Sequence, residues 1–213
     1  MKIGDRVKPA TPPIPAGTYL GVCIGVIDLG EQYSEKFKSY SNQVQFVFEV
    51  SGQTIEVDGK TENRQLSSTF SVSSKTNSKI RKFLTDWNGK PYSDDDFIGL
   101  ELFDQIGKPA ILNVVLNDTG EYSNIANCVP LIAGMPAPAP TLELIRWDMD
   151  AWDDAAFEKL PGWAQEKIRK STQFQKQHTP TETIQVQPTQ PTQSVNDKAL
   201  AASLAAFNGG APF

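Results

Sequence analysis

The chain of 213 residues is short of the side chains on which most enzymes depend. It has one histidine, His178, which opens a low-complexity stretch, so imidazole-based acid/base or nucleophilic catalysis has no obvious carrier. No glycine-rich phosphate cradle of the GxxxxGK[ST] or GxGxxG kind follows a strand-like run, which removes the usual nucleotide-hydrolysing and dinucleotide sites. The two cysteines, Cys23 and Cys128, lie far apart within apolar runs and read as buried reduced thiols. Nowhere do about 18 apolar residues run together, and "MKIGDRVKPATPPIP" lacks the apolar centre of a signal peptide, so a cytoplasmic protein with no membrane partner is expected. An excess of positive charge is also missing: the formal net charge is -5.

The cations present are not evenly spread. "KTNSKIRKFLTDWNGK" carries Lys75, Lys79, Arg81, Lys82 and Lys90 against Asp86 alone, a local patch able to meet phosphate on an acidic chain. The segment "EQYSEKFKSYSN" spends Tyr33, Phe37 and Tyr40 on a polar stretch and interleaves Lys36 and Lys38. Stacked rings together with cations suit a single nucleic-acid strand, whereas rings folded onto a core edge need no lysines. Aspartates offer less. Asp94, Asp95 and Asp96 are consecutive and suit a helix N-terminus, and Asp148, Asp150, Asp153 and Asp154 lack the spacing of a calcium loop, so no metal or other cofactor is expected.

Periodicity gives the element order. Gly17 to Gly30 is a β-branched run bent at Gly21 and Gly25, and the aromatic loop follows it. In Gln43 to Val50, residues Val44, Phe46, Phe48 and Val50 share one face of a strand. After turns at Ser51-Gly52 and Asp58-Gly59, a third strand fits "RQLSSTFSVS", with Leu66, Ser68, Phe70 and Val72 on one face. The period then becomes helical. Asn77 or Ser78 caps a helix with Ile80, Phe83, Leu84 and Trp87 inward, stopped at Asn88-Gly89; a second short turn begins at Ser93 or Asp94. "GKPAILNVVLNDTGEYSNIANCVPL" is a hairpin with its turn at "NDTGE".

Three strands, a helix and two strands are the order of the OB-fold, a five-stranded Greek-key barrel, with a small sandwich as its rival. The predicted architecture is mainly β: the barrel domain over residues 1–134, a Pro/Ala linker over 135–141, a Trp-rich helical extension over 142–178, and a disordered Thr/Gln/Pro-rich tail over 179–213 ending in a short apolar segment. In the barrel, the loops after the first and fourth strands flank the ligand. Candidate contacts are Tyr33, Lys36, Phe37, Lys38 and Tyr40 in the first, with Tyr122 beside the second, Arg64 on the third strand, and Lys79, Arg81 and Lys82 on the helix.

Taken together, "IPAGTYLGVCIGVIDLG", "SSKTNSKIRKFLTDWNGKPYSDDDF" and "IGKPAILNVVLNDTGEYSNIANCVPL" resemble the single-stranded-DNA-binding proteins that bacteriophages encode for replication and recombination, over about residues 12–134. The resemblance implies a non-enzymatic protein that coats and protects single-stranded DNA in the host bacterial cytoplasm. RNA is the other strand admitted by the same chemistry, and a homodimer is compatible with it. It also implies a tail that recruits replication or recombination proteins. That tail is typically acidic and ends in phenylalanine; here it closes on Ala-Pro-Phe, but after Thr179 only Glu182 and Asp197 are acidic side chains. Two other readings remain: an adaptor or inhibitor gripping a protein through the Trp-rich extension, and an accessory domain or metal-dependent nuclease using the aspartates.

Overall fold

The computed structural model describes residues 11–178; the expected disordered tail lies outside the described residues. β1 (Gly17–Ser34), β2 (Ser39–Val57) and β3 (Lys60–Ser71) form an antiparallel meander. α1 (Lys79–Asn88) and α2 (Asp94–Ile98) follow, then a 3-10 turn at Leu102–Gln105 and the hairpin of β4 (Pro109–Leu116) and β5 (Ser123–Val129). β4 pairs with the first third of β1, from Gly17 to Val22, while β2 pairs with β1 from Gly21 onward. The resulting sheet has the order β3-β2-β1-β4-β5, and β6 (Ile145–Trp147) adds a sixth strand parallel to the middle of β1.

The mainly β reading with few short helices holds at this level, but the expected five-stranded closed barrel does not. No backbone ladder joins β3 to β5 among the described residues. Instead α1 stands at the gap, where its Phe83 lines a cleft with Phe70 of β3 and Ile125 of β5. The helix thus covers apolar side chains that a closed seam would have covered.

Two apolar layers flank the sheet. On one face Phe46, Phe48, Val50, Leu112 and Cys128 pack with Ile80, Phe83, Leu84 and Trp87 of α1. The Phe48 and Trp87 rings lie 5.0 Å apart at a T-shaped angle, a geometry that adds to simple burial. Ser78 caps α1 by accepting from the Arg81 N–H, and the left-handed Gly89 ends it. On the other face Val22, Ile24, Ile27, Leu29 and Val47 pack against Trp147, Phe157, Leu160 and Ile168 of the C-terminal extension. β1 therefore buries side chains on both faces, which explains its uninterrupted apolar run where a half-buried strand would alternate.

The extension holds β6 and then α3 (Asp154–Lys159), α4 (Gly162–Arg169) and α5 (Thr172–His178). Asp153 caps α3 by accepting from the Ala155 and Ala156 N–H groups, and Asp154 accepts from the Trp152 indole. Both aspartates thus serve local structure. The extension begins at a carboxylate clamp. Buried Glu49 of β2 accepts from Asn63 Nδ2 (2.7 Å), from the Thr141 hydroxyl (2.6 Å), and from the Thr141 and Leu142 N–H groups (2.9 and 3.0 Å).

Burial alone would push the Glu49 carboxyl up, but these hydrogen bonds outweigh it and hold it below the ordinary 4.5. A depressed folded-state value contributes stability that is complete above the unfolded value and is lost as pH falls through the folded one. Glu49→Gln turns amide hydrogens toward Thr141 and Leu142 and should cost about 1–3 kcal/mol at neutral pH. The variant's stability should also fall less than that of the parent between pH 5 and 3, read by urea unfolding at each pH; equal acid sensitivity would count against the clamp.

Burial pushes the Cys23 thiol up to about 12, and it raises Cys128 as well. Both are free and buried, the environment of inert thiols. Among the described residues, no helix is long and apolar enough to cross a membrane.

Candidate nucleic-acid interface

The segment Glu31 to Asn42, expected as a loop, is mostly strand. β1 and β2 stay paired out to Ser34 and Ser39, leaving a four-residue turn at the tip of a projecting arm. Cross-strand pairing supplies the reason: Tyr33 lies opposite Tyr40 with ring centroids 5.0 Å apart, and such aromatic pairs stabilise antiparallel ladders. Both rings are exposed. At the tip, the Phe37 ring is 72% exposed with the Lys36 ammonium 5.5 Å from its centroid, and Lys38, at φ 49°, pairs with Glu35 at 2.6 Å.

The base of the arm is fixed. Gly30 has φ 69°, and a Cβ there would stand 2.9 Å from Ser171 Cβ and Gln173 Oε1, so glycine is required by both conformation and space. Beside it, the Glu31 N–H donates to Gln173 Oε1, the Thr172 hydroxyl donates to Glu31 Oε2, and Gln32 Nε2 donates to the Lys167 carbonyl.

The remaining candidates gather along the gap between β3 and β5. A cleft of about 570 Å3 at one end joins Arg64 and Leu66 of β3 to Gly120, Glu121 and Tyr122 of the β4–β5 turn. A second, of about 540 Å3, lies between Ser67–Phe70 of β3 and Asn124–Asn127 of β5, with Lys79 and Lys82 of α1 on its rim. From the first cleft to the second the numbers rise together on β3 and β5, and four successive antiparallel pairings along β3-β2-β1-β4-β5 make the two strands run the same way, so the clefts lie in line along the gap. From Arg64 to Phe70 it extends roughly 20 Å at the usual rise per residue.

Tyr122 is 67% exposed, in a turn held by Asn117, whose side chain accepts from the Tyr122 N–H. Lys79 and Arg64 make no ion pair among the described residues, while Lys82 pairs with Asp86 at 2.5 Å. Beyond the Phe70 end, the Val72 N–H donates to the Asn42 carbonyl at the base of the arm. The arm thus stands at one end of the groove and Tyr122 at the other.

Arg81 is set apart from this group. Its side chain is buried under α2, donates to Asp94 Oδ1 (2.6 Å) and to the Tyr92 carbonyl (2.7 Å), and lies over the Phe97 ring. Its guanidinium is occupied in joining α1 to α2. Conversely, Ser68, Thr69, Asn124 and Asn127 line the groove without having been singled out in the sequence. Small polar residues on edge strands carry no signal until the partner strand is known.

No known protein family, curated protein or solved structure matches this chain. The chemistry of the groove is therefore the basis for a function. It offers unpaired cations on two elements, an exposed ring at each end and hydrogen-bonding side chains between them.

Proposed function

We propose that the chain binds single-stranded DNA along the β3–β5 groove, on an OB-like sheet left open at that seam, and that it acts as a non-enzymatic coating and protecting protein in replication and recombination of the phage type. The observation that carries the reading is the placement of Arg64, Lys79, Lys82 and Tyr122, distant in sequence, on two successive clefts of the β3–β5 gap. The order β3-β2-β1-β4-β5 supports it, because joining its two ends gives the five-stranded OB barrel. Cations neutralise phosphates, Tyr122 and the Tyr33–Tyr40 pair offer ring faces to bases, and both interactions tolerate any base sequence. RNA is accepted by the same groups.

The adaptor reading is less favoured. Of the four tryptophans only Trp163 is exposed, and Trp147 and Trp152 are spent in the second apolar layer. In a titration with oligo-dT, tyrosine fluorescence should be quenched on binding, and log K should fall linearly with log salt, by roughly 0.7 for each phosphate contacted. Absence of binding at low salt, or binding indifferent to salt, would remove the proposal.

A further inference from the structure

At the base of the arm lies a pocket of about 310 Å3, at the small end of cavities that take a single ligand group. Its apolar wall is made by Val26, Val44, Leu102 and Phe103, and its carboxylates are Asp28, Glu101, Asp148 and Asp150, from three separate stretches of chain. No lysine or arginine lines it; Arg146 lies over the Phe103 ring, 4.5 Å from its centroid. The acid groups crowd one another: burial raises the Asp28 carboxyl above its ordinary value, the Gly30 and Met149 N–H groups oppose this, and Asp148 and Asp150 add to it.

The arm tip is complementary: an exposed phenyl ring with the Lys36 ammonium over it, and Lys38, which pairs with Glu35 in the free chain and must leave it to meet another carboxylate. A chain cannot fill its own pocket, because the ladder from Asn42 to Ser39 carries the tip away from Asn42, which is itself a pocket residue. The extended stretch from Ser39 to Asn42 alone spans roughly 10 Å, and Phe37 lies beyond it in the turn. Because arm base and pocket mouth share a residue, a two-fold axis beside them lets two copies satisfy each other at once. Such reciprocal pairing closes as a dimer and occupies both arm tips, Glu35 to Lys38, while the Tyr33–Tyr40 pair stays outside the pocket.

We propose that two copies of this chain exchange arms, the Phe37 ring of each entering the apolar pocket of the other while Lys36 and Lys38 meet its carboxylates. Net charge of -5 repels the copies at distance, so the contact depends on these local cations. The inference goes beyond strand coating and is tested on full-length protein free of nucleic acid. Sedimentation equilibrium should show a concentration-dependent dimer, weakened at least about tenfold by Phe37→Ser, which loses the buried ring, and likewise by Glu101→Lys.

Lys36→Glu paired with Glu101→Lys should recover part of the association. Both altered side chains are exposed, and circular dichroism checks that the fold is kept. Mixing Phe37→Cys with Glu101→Cys chains under mild oxidation should yield a disulfide between unlike chains. A parent monomeric up to near-millimolar concentration overturns the proposal. So does a dimer indifferent to Phe37→Ser and Glu101→Lys, or a Phe37→Ser variant that loses oligo-dT affinity while dimerising normally, which would make the tip a nucleic-acid contact.

Discussion

Arg64→Glu, Lys79→Glu and Lys82→Glu combined should lower affinity for oligo-dT on the order of 100-fold at about 0.1 M salt, and should reduce the salt slope by roughly 2. The slope is the more telling figure. Each cation that neutralises a phosphate on a single strand releases about 0.7 of a counterion, so three lost contacts remove about that much dependence. The three side chains are exposed or half-buried and support no core packing, so the folded population should not change. Tyr122→Ala probes the other contribution: it should cost about 1–3 kcal/mol of binding and leave the salt slope intact, because a ring contacts bases and carries no charge. Lys82 leaves Asp86 when it meets phosphate, so Lys82→Glu alone should have a smaller effect than Lys79→Glu. Fluorescence titrations at four or more salt concentrations measure all of these. An unchanged slope in the triple variant would place the strand elsewhere.

Trp87→Ala should destabilise the protein by about 3–5 kcal/mol, the cost of removing a large buried aromatic side chain. Trp87 is 2% exposed, contacts Phe46, Phe48 and Phe83, and donates its indole N–H to the Pro109 carbonyl at 2.9 Å. That hydrogen bond ties α1 to the start of β4. The loss should therefore reach the groove as well, since α1 supplies Lys79 and Lys82 and covers the β3–β5 gap. Equilibrium denaturation measures the first effect. Oligo-dT affinity under conditions where the variant is still folded measures the second and should fall. A loss of stability with unchanged affinity would mean that α1 keeps its position without its largest anchor.

What was legible in the sequence follows from which interactions are local. Val44, Phe46, Phe48 and Val50 alternate because the other face of β2, although buried as well, spends two places on Gln45 and Glu49, which bond Ser67 and the Asn63–Thr141 clamp, and Ser78 and Gly89 bracket α1 because capping involves only a few residues. The same reasoning fails where a second partner acts. β1 runs without a polar side chain from Leu20 to Ile27 because the extension covers its outer face, and β6, three residues long, exists only by pairing with β1. Ladder pairing turned the predicted aromatic loop into an arm, since the opposition of Tyr33 and Tyr40 depends on register and composition does not report register. Lys79, Lys82, Arg64 and Tyr122 could each be named as candidates, but nothing in their spacing placed them on one groove. Arg81 belonged to the same basic run and is drawn inward by Asp94, thirteen residues later.

The two-faced burial of β1 has a consequence for how the molecule comes apart. Val22, Ile24, Ile27 and Leu29 serve one layer while Cys23 and Val26, alternating with them, serve the other, so neither layer can melt without stripping a strand that the other depends on. For folding, residues 11–178 are expected to unfold as one cooperative block, with the amides of β1 the last to exchange with solvent.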